Sequence, residues 1–150
     1  MNVVDAFWQR FLEKKQLSQD TRYLEAFHFE MTKEGANYLL ELVLSGQKRA
    51  TSSSLLVWDM EGKKPQIGDY SIVTDWDGNP RCVIRTVQVT ELPFNEMTYD
   101  ICKREGEDQC LETWQQKHRT FFDMDGKEFG YGFTEDMMVL FEDFEVVYIE

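Results

Sequence analysis

The sequence predicts a protein of the α+β class, a small mixed β-barrel with flanking helices. Apolar residues recur at helical spacing near the start of the chain and alternate through a long hairpin in its middle. Helical stretches follow, and short apolar runs close the chain, so that helices and strands come in alternating groups. The 150 residues match the usual size of one domain, and the 42% that are hydrophobic suffice for one core. We therefore expect a single domain over residues 1–150.

Two amphipathic helices are predicted in the first third of the chain. Apolar residues at i, i+3, i+4, i+7 and i+8 predict a helix over about residues 2–15, within an N-terminal helical extension at about residues 1–30. Residues 23–29 fit either a strand or an extended lead-in. Thr32 is a suitable N-cap for the second helix. Gly46 suits the left-handed residue that closes it, so this helix should end just before residue 46.

Strands are predicted from residue 51 to residue 91. Residues 54–59 carry four consecutive apolar side chains and are interpreted as a strand. Residues 70–76 and 81–91 predict a hairpin, because the Asp-Gly-Asn-Pro sequence at residues 77–80 is a strong turn signal.

The last third of the chain is predicted to hold two helical stretches and two strands. The first helical stretch opens at residue 93, and Asp108 is a candidate N-cap for the second. Residues 123–132 contain three glycines and are interpreted as a loop. Residues 139–141 and 144–149 are mostly apolar and predict two closing strands.

The charge balance limits the class of partner. There are 28 acidic and 16 basic residues, for a net charge of −12. Proteins that bind nucleic acid along its phosphates usually carry net positive charge, so long duplex nucleic acid is not an expected partner. A local basic patch still admits a small-molecule nucleoside or a short single-stranded RNA, which are the partners we expect. The oligomeric state is left open.

No cofactor, metal or membrane segment is expected. Every apolar run is shorter than the roughly 20 residues that span a bilayer. The first residues lack the charged and apolar regions of a signal peptide, so a cytoplasmic protein is expected. Cys82, Cys102 and Cys110 do not have the spacing of a zinc site. No glycine-rich phosphate-binding loop follows a predicted strand.

The first candidate for chemistry is the segment 46–54, in which Lys48 and Arg49 precede four hydroxyl residues. One interpretation is a helix end with cations near its negative terminus, followed by a polar turn. The other is that Lys48, if neutral, accepts the proton of the Thr51 hydroxyl, with Arg49 as the cation that favours the neutral amine. A spacing of three residues puts this pair on opposite faces of a flat strand, so the second interpretation requires an irregular loop.

The second candidate is the acidic segment that contains Glu105, Glu107 and Asp108. It fits a solvated loop, or a loop in which one glutamate faces inward and acts as a general acid or pairs with Lys48.

Aromatic residues around His118 fit core packing, with His118 as either a hydrogen-bonded core residue or a ligand contact. Trp58 and Trp76 fit ordinary strand positions or stacking on a nucleobase.

Several short motifs, taken in order and with their spacing, resemble those of the ASCH domain superfamily. They are Gly46-x-Lys48-x-Ala50-Thr51, Gly68-Asp69 before a strand ending in Asp75, Gly78-x-Pro80, Pro93-Phe94, Glu105-Gly106-Glu107 and Trp114-x-x-x-His118-x-x-Phe121-Phe122. The resemblance spans about residues 35–147 and is closest to a bacterial branch of about this length. It implies a PUA-like fold, a small pseudo-closed β-barrel with helices packed around its cleft.

The resemblance also implies a cleft for nucleosides or RNA. One small bacterial branch hydrolyses the acetyl amide of N4-acetylcytidine with a lysine base, a threonine nucleophile and a glutamate proton donor. These roles map onto Lys48, Thr51 and Glu107, with Glu105 as the alternative acid. The residues expected to bind the substrate are Arg49, Ser52, Ser53, Glu105, Trp58, Arg85 and His118.

A non-catalytic module that binds RNA or regulates a partner is the alternative, and another branch of the superfamily is described as a ribonuclease. RNA binding by this acidic chain would require its cations to converge in one groove. The cations concerned are Lys48, Arg49, Arg81, Arg85, Lys103 and Arg104.

Overall fold

The computed structural model describes all 150 residues. The helices are α1 (Val3–Lys15), α2 (Lys33–Ser45), α3 (Leu55–Glu61), α4 (Tyr99–Cys102) and α5 (Leu111–Phe129). The strands are β1 (Ala26–Phe27), β2 (Ala50–Ser54), β3 (Tyr70–Thr74), β4 (Pro80–Pro93) and β5 (Met138–Ile149). Short 3-10 turns cover Phe94–Glu96 and Lys103–Glu105. None of the helices combines the length and the apolar character needed to cross a bilayer.

The five strands form one mixed sheet in the order β1-β3-β4-β5-β2. Only the β1–β3 pair is parallel, and the other three pairs are antiparallel. The predicted α+β class is therefore confirmed. No strand pairing joins β1 to β2, yet residues of both edge strands line the same cavity. The sheet thus curls toward a barrel, and the gap between its two edges is the cleft.

The two N-terminal helices form where the sequence predicts them. In α1, buried Phe7, Phe11 and Leu12 pack against residues of β3 and β4. The Thr32 side chain accepts a hydrogen bond from the backbone N–H of Gly35 at the start of α2. Gly46 closes α2 with a left-handed φ of 86°, a conformation that glycine adopts without steric cost.

The strand predicted over residues 54–59 is wrong, because this segment begins helix α3. The side-chain oxygen of Ser54 accepts a hydrogen bond from the N–H of Val57 and caps the helix. A run of four apolar residues has no decisive period, so helix and strand cannot be told apart from the pattern alone. Here the N-cap hydrogen bond of Ser54 favours the helix over the strand.

Two expectations about the last helix are also wrong. The residue at its N-cap position is Cys110, while the Asp108 carboxylate lies 3.3 Å from Lys117 Nζ. The predicted loop over residues 123–132 is helical up to Phe129. Gly126 is tolerated inside the helix because its bare Cα lies against the Tyr131 carbonyl, which a Cβ would approach to 2.2 Å.

The remaining differences concern the segments around this helix. The helical stretch from residue 93 is broken into a 3-10 turn, α4 and a second 3-10 turn. The two predicted closing strands are one strand, β5, because partners hold the acidic residues in its middle. Thr86 donates a hydrogen bond to Glu142, and Arg104 forms an ion pair with Asp143.

Candidate functional site

A cavity of about 280 Å³ lies between the two edges of the sheet and helix α5. Its apolar lining is largely aromatic and comprises Phe27, Phe29, Trp58 and Phe121, with Met31 and Leu39. Its polar lining includes hydroxyls, carboxylates, two lysines and two histidines. Flat apolar walls with a few convergent polar groups are typical of a binding site for a small molecule.

Lys48 reaches this cavity because the segment after α2 docks on the second 3-10 turn. The Gln47 side-chain amide donates to the Gly106 carbonyl at 2.7 Å, and the Arg49 N–H donates to the Arg104 carbonyl at 3.1 Å. Gly106 has a φ of +74°, and a Cβ there would lie 2.2 Å from the Gln47 carbonyl oxygen. The glycine therefore allows the close approach that brings Lys48 to the neighbouring glutamates.

The Lys48 side chain is only 1% exposed and is held by three oxygens. Its Nζ donates to Glu107 Oε2 at 2.6 Å and to the Ala50 carbonyl at 2.8 Å. It also lies 3.6 Å from Glu105 Oε1 and 5.1 Å from the ring centre of Phe29. The lysine and both glutamates thus form one buried ionic group at the cavity wall.

Glu105 is the centre of the buried hydrogen-bond network. Its Oε2 accepts hydrogen bonds from Ser52 Oγ at 2.8 Å and from Trp114 Nε1 at 2.6 Å. Its Oε1 lies 3.5 Å from His118 Nε2. The Nδ1 of His118 is 2.8 Å from the Trp114 carbonyl, and the two rings stack with centres 4.1 Å apart. Glu105 is therefore fixed by four side chains when Lys48 is included.

The network favours a charged pair of Glu105 and His118. Burial alone would raise the pKa of Glu105, but the charges of His118 and Lys48 outweigh it and hold this pKa well below its ordinary range. Burial alone would lower the pKa of His118, but the Glu105 carboxylate raises it above its ordinary value. Glu105 is therefore a poor proton donor at neutral pH, which favours Glu107 as the acid of the two.

The hydroxyl residues of β2 differ in whether their side chains are hydrogen-bonded within the protein. Ser52 is bound to Glu105, and Ser53 accepts a hydrogen bond from Trp58 Nε1 at 2.8 Å. Thr51 lines the cavity, and its hydroxyl takes no part in the side-chain hydrogen bonds that hold Ser52, Ser53 and Ser54. Thr51 is therefore the hydroxyl that is free to meet a ligand.

Eight of the ten site residues expected from the sequence line this one cavity. They are Lys48, Thr51, Ser52, Ser53, Trp58, Glu105, Glu107 and His118. Lys48 lies in an irregular segment before β2, and its Nζ is hydrogen-bonded to Ala50 and Glu107 rather than to the Thr51 hydroxyl. Arg49 and Arg85 are not in the lining: Arg49 is exposed beside a separate depression, and Arg85 faces Glu145 at 3.7 Å.

The cations that an RNA groove would need do not converge. Lys48 is buried, and four of the other five lie beside an acidic side chain or a carbonyl at scattered places on the surface. The contacts are Arg85 with Glu145, Lys103 with Asp100, Arg104 with Asp143, and Arg81 with the Glu150 carbonyl. No group of three or more His, Cys, Asp or Glu side chains is arranged to hold a metal ion.

Sequence reasoning missed five carboxyl groups of the cavity, and the two that matter most for its chemistry are Glu25 and Glu142. Glu142 lies in the apolar strand β5 with only 8% exposure. Acidic residues are rarely buried, so one that lies within an apolar strand is a candidate for a functional carboxyl. Residue 142 shows this pattern in the sequence. Glu25 lies in an irregular segment, where the sequence offers no comparable signal.

Replacement of Glu25 by Gln should stabilise the protein at pH 8 more than at pH 5. Burial, helped by the charge of Glu142, raises the pKa of Glu25 from 4.5 to about 7. Between these values the folded state binds more protons than the unfolded state, so stability falls as pH rises through this window. Glutamine does not titrate, and we expect a gain of roughly 1 kcal/mol, or about 2–4 °C in Tm, at pH 8. Thermal melts of the variant and of an exposed control, Glu91→Gln, test this; equal gains at both pH values would contradict it.

The chain was compared with known families and structures. The family model for the ASCH domain matches residues 25–148. A protein of Enterococcus faecalis V583 has a similar structure, with 34% identity and a TM-score of 0.88 over 97% of this chain and 88% of that one. An ASCH domain from Lactobacillus crispatus JV V101 is 35% identical, with a TM-score of 0.82 over 93% of each chain. A search of curated proteins found no match.

The family match covers both edges of the cleft, since residues 25–148 include the edge strands β1 and β2. It also includes the lysine, threonine and glutamates that meet in the cavity. The agreement of the sequence match with two structures of similar fold leads to one conclusion. The chain belongs to the ASCH domain family.

Proposed function

We propose that this protein hydrolyses an amide on a small modified nucleoside of the N4-acetylcytidine type. The observation that carries the proposal is the convergence of Lys48, Thr51 and Glu107 on one cavity, with Lys48 Nζ 2.6 Å from Glu107 Oε2. A base, a free hydroxyl and an acid are the three groups that acyl transfer from an amide to water needs.

The short Lys48–Glu107 contact offers a route to the neutral amine of Lys48 and the neutral acid of Glu107 together. Transfer of one proton from Lys48 Nζ to Glu107 Oε2 converts an ion pair into a neutral amine and a neutral acid. Neither group then has to lose or gain a proton from solvent. The base and the acid are thus prepared by a single proton movement along an existing hydrogen bond.

The reaction then follows in two halves. The Lys48 amine takes the proton of the Thr51 hydroxyl as its oxygen attacks the acetyl carbon, and Glu107 protonates the nitrogen that leaves when the C–N bond breaks. In the second half Glu107 takes a proton from water, and the hydroxide attacks the threonine ester. Lys48 returns its proton to the Thr51 oxygen, which restores the neutral amine and the neutral acid.

Stabilisation of the tetrahedral intermediate is expected from the free edge of β2. The N–H groups of Lys48 and Arg49 are already bound to the Leu42 and Arg104 carbonyls. β2 is an edge strand, so one side of its backbone is not paired with another strand. Its N–H groups on that side can donate to the oxyanion.

The PUA-like fold of the family has been proposed for RNA binding, and the charges of this chain favour a smaller ligand. The net charge is −12, and the surface cations lie beside acidic side chains and do not form a groove. A cavity of about 280 Å³ matches one small molecule rather than a length of polymer.

Replacement of Thr51 by Val should lower kcat for release of acetate from N4-acetylcytidine by at least ~100-fold, because valine keeps the shape and removes the nucleophile. Glu107→Gln should lower kcat similarly. Thr113→Val, a threonine outside the cavity, is the matched control and should be unaffected. Circular dichroism of each variant checks folding.

Full activity of folded Thr51→Val, or no acetate release by the wild type, would refute the hydrolase. A wild type without turnover whose affinity for short RNA falls steeply with salt would instead indicate the RNA-binding alternative. Hydrolysis of an uncharged nucleoside should respond weakly to salt.

A further inference from the structure

We propose that Glu25 and Glu142 determine which ligand the cavity accepts, by holding neutral hydroxyl groups such as those of a ribose and rejecting phosphate. The proposal rests on the proposed function for the position of the reacting amide at Thr51. It assigns a specificity role to two residues that the lysine, threonine and glutamate chemistry does not use.

The register of the sheet puts Glu142 beside the reacting group. Thr51 of β2 and Glu142 of β5 are directly paired in the antiparallel ladder. Side chains of such a pair lie on the same face, with Cβ atoms about 4.5–5.5 Å apart. Both side chains line the cavity. A molecule with its amide at Thr51 therefore touches Glu142.

Both carboxyl groups have acceptor capacity that the protein leaves unused. Glu142 is 8% exposed, and its Oε2 accepts one hydrogen bond from Thr86 Oγ1 at 2.6 Å. No protein group donates to its other oxygen or to either side-chain oxygen of Glu25. Every buried side-chain oxygen in the protein has a partner, so these oxygens are accessible from the cavity, and a ligand that donates hydrogen bonds to them gains affinity.

The two groups also influence each other. After burial, the charge of Glu142 is the largest contribution that raises the pKa of Glu25. Glu25 comes from the segment before β1 and Glu142 from β5, so the pair bridges the gap between two parts of the curled sheet. A ligand hydroxyl between them would donate to one and relieve part of this repulsion.

The rest of the lining disfavours an anion. Seven carboxyl groups line the cavity, against the two lysines Lys48 and Lys117 and the imidazole of His118, which is paired with Glu105. Both lysines are within 4 Å of glutamate or aspartate oxygens. A phosphate would therefore meet carboxylates without an available cation, whereas a neutral diol presents only donors and weak acceptors.

The test compares binding of cytidine, cytosine and cytidine 5′-monophosphate by titration calorimetry at pH 8. We expect the wild type to bind cytidine at least about tenfold more tightly than cytosine and more tightly than the monophosphate. Glu25→Ala should remove most of that tenfold preference for cytidine and leave the affinity for cytosine unchanged. Glu25→Gln, which keeps one acceptor, should retain part of the preference.

Glu91→Ala is the matched control, since it removes an exposed glutamate outside the cavity and should change no affinity. Equal binding of cytidine and cytosine by the wild type, no binding of cytidine, or an unchanged preference in folded Glu25→Ala would overturn the proposal. Binding requires no turnover. A protein that shows the expected preferences but releases no acetate would thus retain this specificity role and lose the proposed hydrolase activity.

Discussion

Replacement of Lys48 by Met is expected to lower the free energy of unfolding by about 3–5 kcal/mol and to abolish amide hydrolysis. Methionine fills a similar volume but removes the cation. Glu107, whose side chain is 6% exposed, then loses its contact at 2.6 Å, and Glu105 loses one of its two cationic neighbours. Lys117 Nζ remains 3.5 Å from Glu107 but is half-exposed and compensates the buried charge only in part, so the loss of the closer cation is strongly destabilising. Chemical denaturation and acetate release measure the two effects.

Two further variants separate charge pairing from the loss of packing. Lys64→Met removes a lysine that is 2.7 Å from Glu91 but lies at the surface, and it should cost less than about 1 kcal/mol. The double variant Lys48→Met with Glu107→Gln removes both charges of the buried pair and should recover part of the lost stability. If Lys48→Met is as stable as the wild type, the buried ionic group does not contribute as described.

Replacement of Gly106 by Ala is expected to lower stability by about 3–5 kcal/mol, or roughly 10 °C in Tm. The new Cβ would lie 2.2 Å from the Gln47 carbonyl oxygen and 3.1 Å from the Cα of Lys48, so backbone must move. The positive φ of +74° adds a cost of about 1–2 kcal/mol for any residue with a side chain. The same displacement would separate Lys48 from Glu105 and Glu107.

Gly78→Ala is the matched control for this prediction. Its φ of +89° carries a similar backbone cost, but no atom lies within 4 Å of the new Cβ. We expect a loss of about 1 kcal/mol at this position, measured by thermal melting of both variants. Equal losses at the two glycines would show that the contact of residue 106 with Gln47 is unimportant for the fold.

The elements that were predicted correctly carry their signals within a few residues. The capping hydroxyl of Thr32 and the left-handed Gly46 both act on the helix that they bound. The hairpin of β3 and β4 likewise follows from alternation on both sides of one turn. Errors arose where two local signals competed, as at Ser54, which ends a strand and caps a helix, and at Gly126, which a helix can bury.

The residues of the site can likewise be separated into those with a local sequence signal and those placed by contacts between distant segments. Local spacing is enough to single out the lysine and the hydroxyl at residues 48 and 51 and the acidic segment with Glu105 and Glu107. Only the tertiary structure brought them together, since Lys48 and Glu107 are 59 residues apart and meet through the docking of one irregular segment on another. The same curl of the sheet placed Glu142 in the cavity and left Arg85 outside it. Spacing along the chain describes neighbours on one element, whereas the positions of separate elements depend on how their surfaces pack.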